Sequence, residues 1–99
     1  MAYQNNFYRI ISSENLSSSG TSAQSGAAPF GASVARIATS ANVNIVIGTN
    51  PTATAAGALI APADSTYFVV TPASSAGGTN GDKIASIGTA TVNVTWLGG

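Results

Sequence analysis

The stretch Thr91–Leu97, "TVNVTWL", decides the fold class: Val92, Val94 and Trp96 fall on one face while Thr91, Asn93 and Thr95 fall on the other. Period-two alternation of this kind is the pattern of a half-buried strand, because successive side chains of an extended backbone point to opposite sides. "NVNIVIG" (42–48) behaves in the same way, with Val43, Ile45 and Ile47 opposed by Asn42, Asn44 and Val46. "TYFVVT" (66–71) differs, since Tyr67 and Val69 oppose Phe68 and Val70. Apolar groups on both faces predict a central strand or one packed under a neighbour.

Working outward, weaker strands read at "FYRIIS" (7–12), "VARIAT" (34–39), "GALIA" (57–61) and "KIASIG" (83–88), each too short for a helix and bounded by Gly, Pro, Asn or Ser. No stretch carries a capped helical stripe of three turns. A single helical turn near "NPTAT" (50–54) is the most that the pattern allows, with Asn50 held extended before Pro51. Seven short strands predict an all-β fold, an antiparallel β-sandwich of jelly-roll type. Its expected core is Val92, Val94, Trp96, Ile45, Ile47, Phe68 and Val70.

Two low-complexity segments interrupt the pattern, "SSSGTSAQSGAAPFGAS" (17–33) and "ASSAGGTNG" (73–81), and both read as loops. The first divides the chain into residues 1–33, an N-terminal arm with a Ser/Gly-rich linker, and residues 34–99, the sandwich core. Residues 1–16 are then expected to pair with a neighbouring subunit.

Charge is the anomaly in the composition. The 99 residues hold three Lys or Arg and three Asp or Glu, 6% charged, for a formal net charge of zero, against about 25% charged in an average soluble domain. Without a basic patch the chain has no means of neutralising a phosphate backbone, so nucleic acid is not expected as a partner. Six charges are also too few to guard every edge of a seven-stranded domain. Edges covered by neighbouring chains, and self-association as a homotrimer, are therefore expected.

The chemistry available is narrow. With no histidine and no cysteine, disulfides, thiolate metal sites and cysteine nucleophiles are excluded, and general acid-base catalysis is left with carboxylates at 14, 64 and 82. Asp64 and Asp82 read as turn residues in solvent rather than a glycosidase pair. Lys83 and Ser86 would lie on opposite faces of a strand, which defeats a Ser-Lys nucleophile. "GGTNGDKI" (77–84) lacks a lysine directly after the glycine and has Ile84 where a P-loop needs Ser or Thr. Asn80 and Asp82 are too few oxygen donors for calcium. The expectation is no enzyme, no cofactor and no metal.

The N-terminal "MAYQNNFYRII" is not a secretory signal, and residues 37–63, although uncharged, are broken by Asn42, Asn44, Asn50 and Pro51, so no membrane partner is expected. The Asn-x-Ser/Thr matches at Asn15 and Asn93 read as chance occurrences. Of the aromatic residues, Tyr3 is the least core-like.

Residues 35–97 resemble a pattern recurring among small structural proteins of tailed bacteriophage virions. The resemblance rests on "VNIVIGTNPTAT" (43–54), "LIAPADSTYFVVTP" (59–72) and "GDKIASIGTATVNVT" (81–95). The family pattern runs from "TP" almost directly into "GDKIA", whereas this chain interposes 73–81. The resemblance implies a virion structural protein on the capsid surface, foremost a decoration or cement protein that binds the major capsid protein and clamps the shell. A tail, knob or fibre-associated subunit is the alternative, and a carbohydrate-binding module comes after it. Contact with the capsid or with other copies is expected at Tyr3, Phe7, Tyr8, Ile10, Asn50 and Pro51.

Overall fold

The computed structural model describes residues 9–29, 31–70 and 82–98. These form eight strands and no helix: β1 (Arg9–Ser18), β2 (Ala23–Gln24), β3 (Val34–Thr39), β4 (Val43–Gly48), β5 (Ala58–Ile60), β6 (Thr66–Val69), β7 (Lys83–Ile87) and β8 (Ala90–Gly98). They build two antiparallel four-stranded sheets, ordered β1-β8-β3-β6 in sheet A and β2-β7-β4-β5 in sheet B, packed face to face as a β-sandwich.

The pairing is nested. β4 pairs with β5, β3 with β6, β2 with β7 and β1 with β8, and every set of partners is centred close to Ala53. The chain thus behaves as one long hairpin bent about the segment between β4 and β5 and rolled into two layers. That segment carries no charge, and its backbone is tied down locally. Gln24 Nε2 donates to Asn50 Oδ1 at 2.9 Å and to the Pro51 carbonyl at 2.7 Å. The Ala53 amide donates to Ser22 Oγ at 2.8 Å. No helical turn forms there; residues 55–56 make a plain turn.

Alternation decides which face of each strand is buried. Val92, Val94 and Trp96 of β8 meet Ile37 of β3, Val43 and Ile45 of β4, and Ile84 of β7 in one core. Ile47 and Phe68 pack against it half-buried. Burying these aliphatic side chains contributes about 1.5–3 kcal/mol each before chain entropy is subtracted.

Three features differ from the sequence reading. "TYFVVT" is neither central nor covered among the described residues: β6 is the outer strand of sheet A, and Val69 is 86% exposed. Residues 9–18, which composition assigned to an arm, form the ten-residue strand β1 and pair with β8 along its length in the same chain. Within the serine-rich stretch, β2 adds an eighth strand and Ser25 is buried.

The reason for the last two is local. The Ser25 amide donates to the Ile84 carbonyl at 2.7 Å, and the Ile84 amide donates to Ser25 Oγ at 2.9 Å. Ser86 and Ser18 hydroxyls bond at 3.0 Å inside the core. Small polar side chains enter the interior without an unpaired polar atom, which composition does not reveal.

Candidate interaction face

The outer face of sheet A is built by strands whose other face makes the core. In β3, Ala35 and Ile37 are buried inward, leaving Val34 and Arg36 outward. In β8 the inward set is Val92, Val94 and Trp96, leaving Asn93, Thr95 and Leu97. A register shift between Ile10 and Ser12 accommodates Ile11 as an extra residue in β1. Such a bulge re-aims the neighbouring side chains. Here it lets Ile11 pack on the core while Ile10 stays 71% exposed.

Register then aligns residues across the sheet in rows. Ile10 pairs with Leu97, Leu97 with Val34 and Val34 with Val69, giving four aliphatic side chains side by side on four strands. The next row is Ser13, Thr95, Arg36 and Tyr67. An open groove of about 740 Å³ lies over these rows, lined by Ile10, Leu97, Val34, Val69, Arg36 and Tyr67 among others. Tyr67 is 57% exposed.

In the groove and beside it the polar side chains of the face bond one another. Asn93 Nδ2 donates to Ser13 Oγ at 3.0 Å and to Asn15 Oδ1 at 2.9 Å, and Thr95 Oγ1 donates to Asn93 Oδ1 at 2.7 Å. Arg36 Nη2 donates to Ser65 Oγ at 3.2 Å. A ladder already paired within itself gives a partner little new hydrogen bonding, so the apolar rows are the part of the face with most to gain from being covered.

The sequence-derived contact residues separate in space. Ile10 lies in the groove. Asn50 is exposed and Pro51 buried, both in the turn after β4 of sheet B. Tyr3, Phe7 and Tyr8 lie outside the described residues, as do Phe30, Asn80 and the 73–81 segment. Sequence reasoning missed Val34, Arg36, Tyr67, Val69 and Leu97. The signal was present in the two-sided apolarity of "TYFVVT", where one face serves the core and the other serves this groove.

The three carboxylates lie on separate elements of the described chain. Asp64 is exposed in the turn before β6, Asp82 precedes β7, and Glu14 lies on β1. Among the described residues no three of His, Cys, Asp or Glu come together as a metal would require. Ser86 faces the core, bonded to Ser18, while Lys83 is half-buried at the start of the same strand. No helix among them is long and apolar enough to cross a membrane. Comparison with family models, with curated proteins and with solved structures finds no match to this chain.

Proposed function

We propose that this chain is a structural subunit of a tailed-phage virion, a decoration or cement protein that binds the outer surface of the head shell through the outer face of sheet A and stabilises it. The observation that carries the reading is the four-strand aliphatic row Ile10–Leu97–Val34–Val69, whose end members Ile10 and Val69 are exposed while Val34 is half-buried and Leu97 buried between them, on a sandwich with very few charges. Exposed apolar area of this kind marks an interaction surface. The nested strand pairing supports the jelly-roll form of sandwich, an architecture used by viral capsid and lectin domains; that support is analogy at the level of fold. The resemblance of residues 35–97 to virion structural proteins supports the class of assembly part, and the major capsid protein, with further copies of this chain, is the partner that this reading takes first.

Binding through such a face draws on apolar burial, about 25 cal/mol per Å², less the cost of ordering the partners. Few charges take part, so salt has little to screen; at physiological ionic strength screening acts beyond about 8 Å. The test compares particles with and without the protein in a thermal genome-release assay across ionic strength. Bound protein that raises the release temperature at low and high salt alike supports the reading. Particles that release their genome at the same temperature without it refute it.

A second reading is favoured by one observation. The exposed Tyr67 ring sits in a row with Thr95 and Arg36, an aromatic surface beside polar groups that suits a sugar ring. Binding of the purified protein on a glycan array, together with loss of adsorption by particles lacking it, would favour a tail or glycan-binding role.

A further inference from the structure

The chain holds few charged side chains, and one of its three cations stands in the groove. Arg36 lies on β3, half-buried, paired with Thr95 of β8 on one side and Tyr67 of β6 on the other. β3 and β8 are the inner strands of sheet A, each paired along both edges, so the place of Arg36 is set by the body of the sheet. Its Nη2 donates to Ser65 Oγ at 3.2 Å, and among the described residues the guanidinium forms no other hydrogen bond or ion pair.

A guanidinium carries five N–H donors in a planar fork and keeps its charge at any working pH. One bond to a neutral hydroxyl leaves most of that capacity unused. Partial burial takes water from the group without supplying an anion, so it gains most from a carboxylate, whose two oxygens accept parallel N–H bonds from the fork. The carboxylates of the chain do not fill this role. Glu14 accepts from Trp96 and Gly26, Asp82 precedes β7 in the other sheet, and Asp64, although next to Ser65 in sequence, is exposed and makes no ion pair with Arg36.

Row spacing says what must stand beside the incoming carboxylate. Val34 is two residues before Arg36 on β3, Leu97 two after Thr95 on β8, and Val69 two after Tyr67 on β6. Two residues of strand span about 6.7 Å. An extended segment laid over this face with its direction close to that of β3 repeats the same spacing in its side chains i and i+2. One of them rests on the aliphatic row when the other reaches Arg36.

The same residues favour a peptide over a sugar. Sugar hydroxyls need hydrogen-bond partners, and Thr95 and Asn93 are already bonded to each other and to Ser13 and Asn15. The row Ile10–Leu97–Val34–Val69 offers apolar contact instead.

We propose that the groove takes an extended segment of the partner protein in which an acidic and an aliphatic residue stand two positions apart, the carboxylate bonded to Arg36 and the aliphatic side chain resting on Val34 and Val69. The proposal rests on the shell-binding reading and names the chemistry of the segment that this face recognises. A pair formed inside the groove is screened little by salt, in keeping with binding that persists at high ionic strength.

The first test needs no particle. The purified full-length chain is passed over immobilised, terminally capped peptides that repeat Val-Thr-Asp-Thr, the same with Asn for Asp, and the same with Ala for Val. Wild type is expected to bind the first about 10- to 100-fold tighter than the second, and to bind the third more weakly than the first. Arg36→Gln, its fold checked by circular dichroism, is expected to lose the preference for Asp, and Arg36→Lys to keep part of it. Equal binding to the Asp and Asn peptides, binding to neither, or a preference retained in Arg36→Gln would overturn the proposal. Binding to glucuronate oligosaccharides in place of the peptides would overturn it in favour of an acidic sugar.

The second test identifies the segment. Arg36→Lys is bound to purified particles lacking the protein and treated with a water-soluble carbodiimide, which condenses an amine with a carboxylate in contact with it. The expected product joins residue 36 to an Asp or Glu of a particle protein that has an aliphatic residue two positions away. Particle-bound chain with no cross-link at residue 36 would overturn the pairing. Particles that bind none of the chain would refute the shell reading, while the peptide measurement still decides the chemistry of the groove.

Discussion

Trp96, 1% exposed at the centre of sheet A, donates its indole N–H to Glu14 Oε2 at 3.2 Å. The same carboxylate accepts the Gly26 amide, at 3.2 Å to Oε1 and 3.3 Å to Oε2. One side chain on the outer strand β1 thereby holds the largest core residue and the start of the segment that follows β2. Residue 14 thus works within the body of the sandwich, inside the stretch that composition assigned to an arm.

Glu14→Ala is expected to destabilise the fold by about 1–3 kcal/mol, because it leaves a buried indole donor unpaired. Glu14→Gln keeps a carbonyl acceptor and is expected to lose less. Urea denaturation of both variants measures the difference, and equal midpoints for wild type and Glu14→Ala would contradict the role given to the bond.

Trp96→Ala removes the largest fully buried side chain and is expected to cost about 3–5 kcal/mol. An unchanged melting temperature would place the ring outside the core.

The Ser18–Ser86 hydroxyl pair is buried and bonded. Either serine changed to alanine is expected to cost about 1 kcal/mol, and the double change less than the sum of the two, because removing both partners leaves no orphan. A double-mutant cycle by chemical denaturation checks this, and strict additivity would mean that the pair does not act as one.

Gly88 turns the chain from β7 in one sheet to β8 in the other with φ +131°, and a Cβ there would stand 2.8 Å from the Asn42 carbonyl oxygen. Gly88→Ala is expected to destabilise by more than about 1 kcal/mol. A neutral effect would show that the corner relaxes.

How much of this was legible in the sequence follows from where each signal is stored. Val92, Val94 and Trp96 announce their face by alternation, which is local, and all three are buried. Apolarity on both sides of β6 was equally visible. Its meaning was not, because a strand covered on both faces and an outer strand whose second face lines an open groove carry the same residues. β1 and β2 were hidden in serine and glycine, whose place is fixed by long-range pairing with β8 and β7. The groove depends on register across four strands, and register is a property of the assembled sheet.

The arm boundary shows the practical consequence. Deleting residues 1–8 leaves β1 whole and is expected to leave the melting temperature of the unassociated chain unchanged. Deletion through residue 16 removes most of β1, including the Glu14 partner of Trp96 and the core residue Leu16. It is expected to unfold the chain at physiological temperature. Thermal denaturation of the two truncations separates the cases, and a stable fold after the longer deletion would show that β1 is dispensable.

The claim that the chain clamps a capsid shell is tested most directly by counting its copies in purified virions with quantitative mass spectrometry, referenced to the major capsid protein. A shell-wide clamp must follow the symmetry of the surface that it covers, so the account predicts hundreds of copies per particle in fixed ratio to the capsid protein. A dozen copies or fewer would move it to the tail or a vertex, and its absence from the particle would contradict the account.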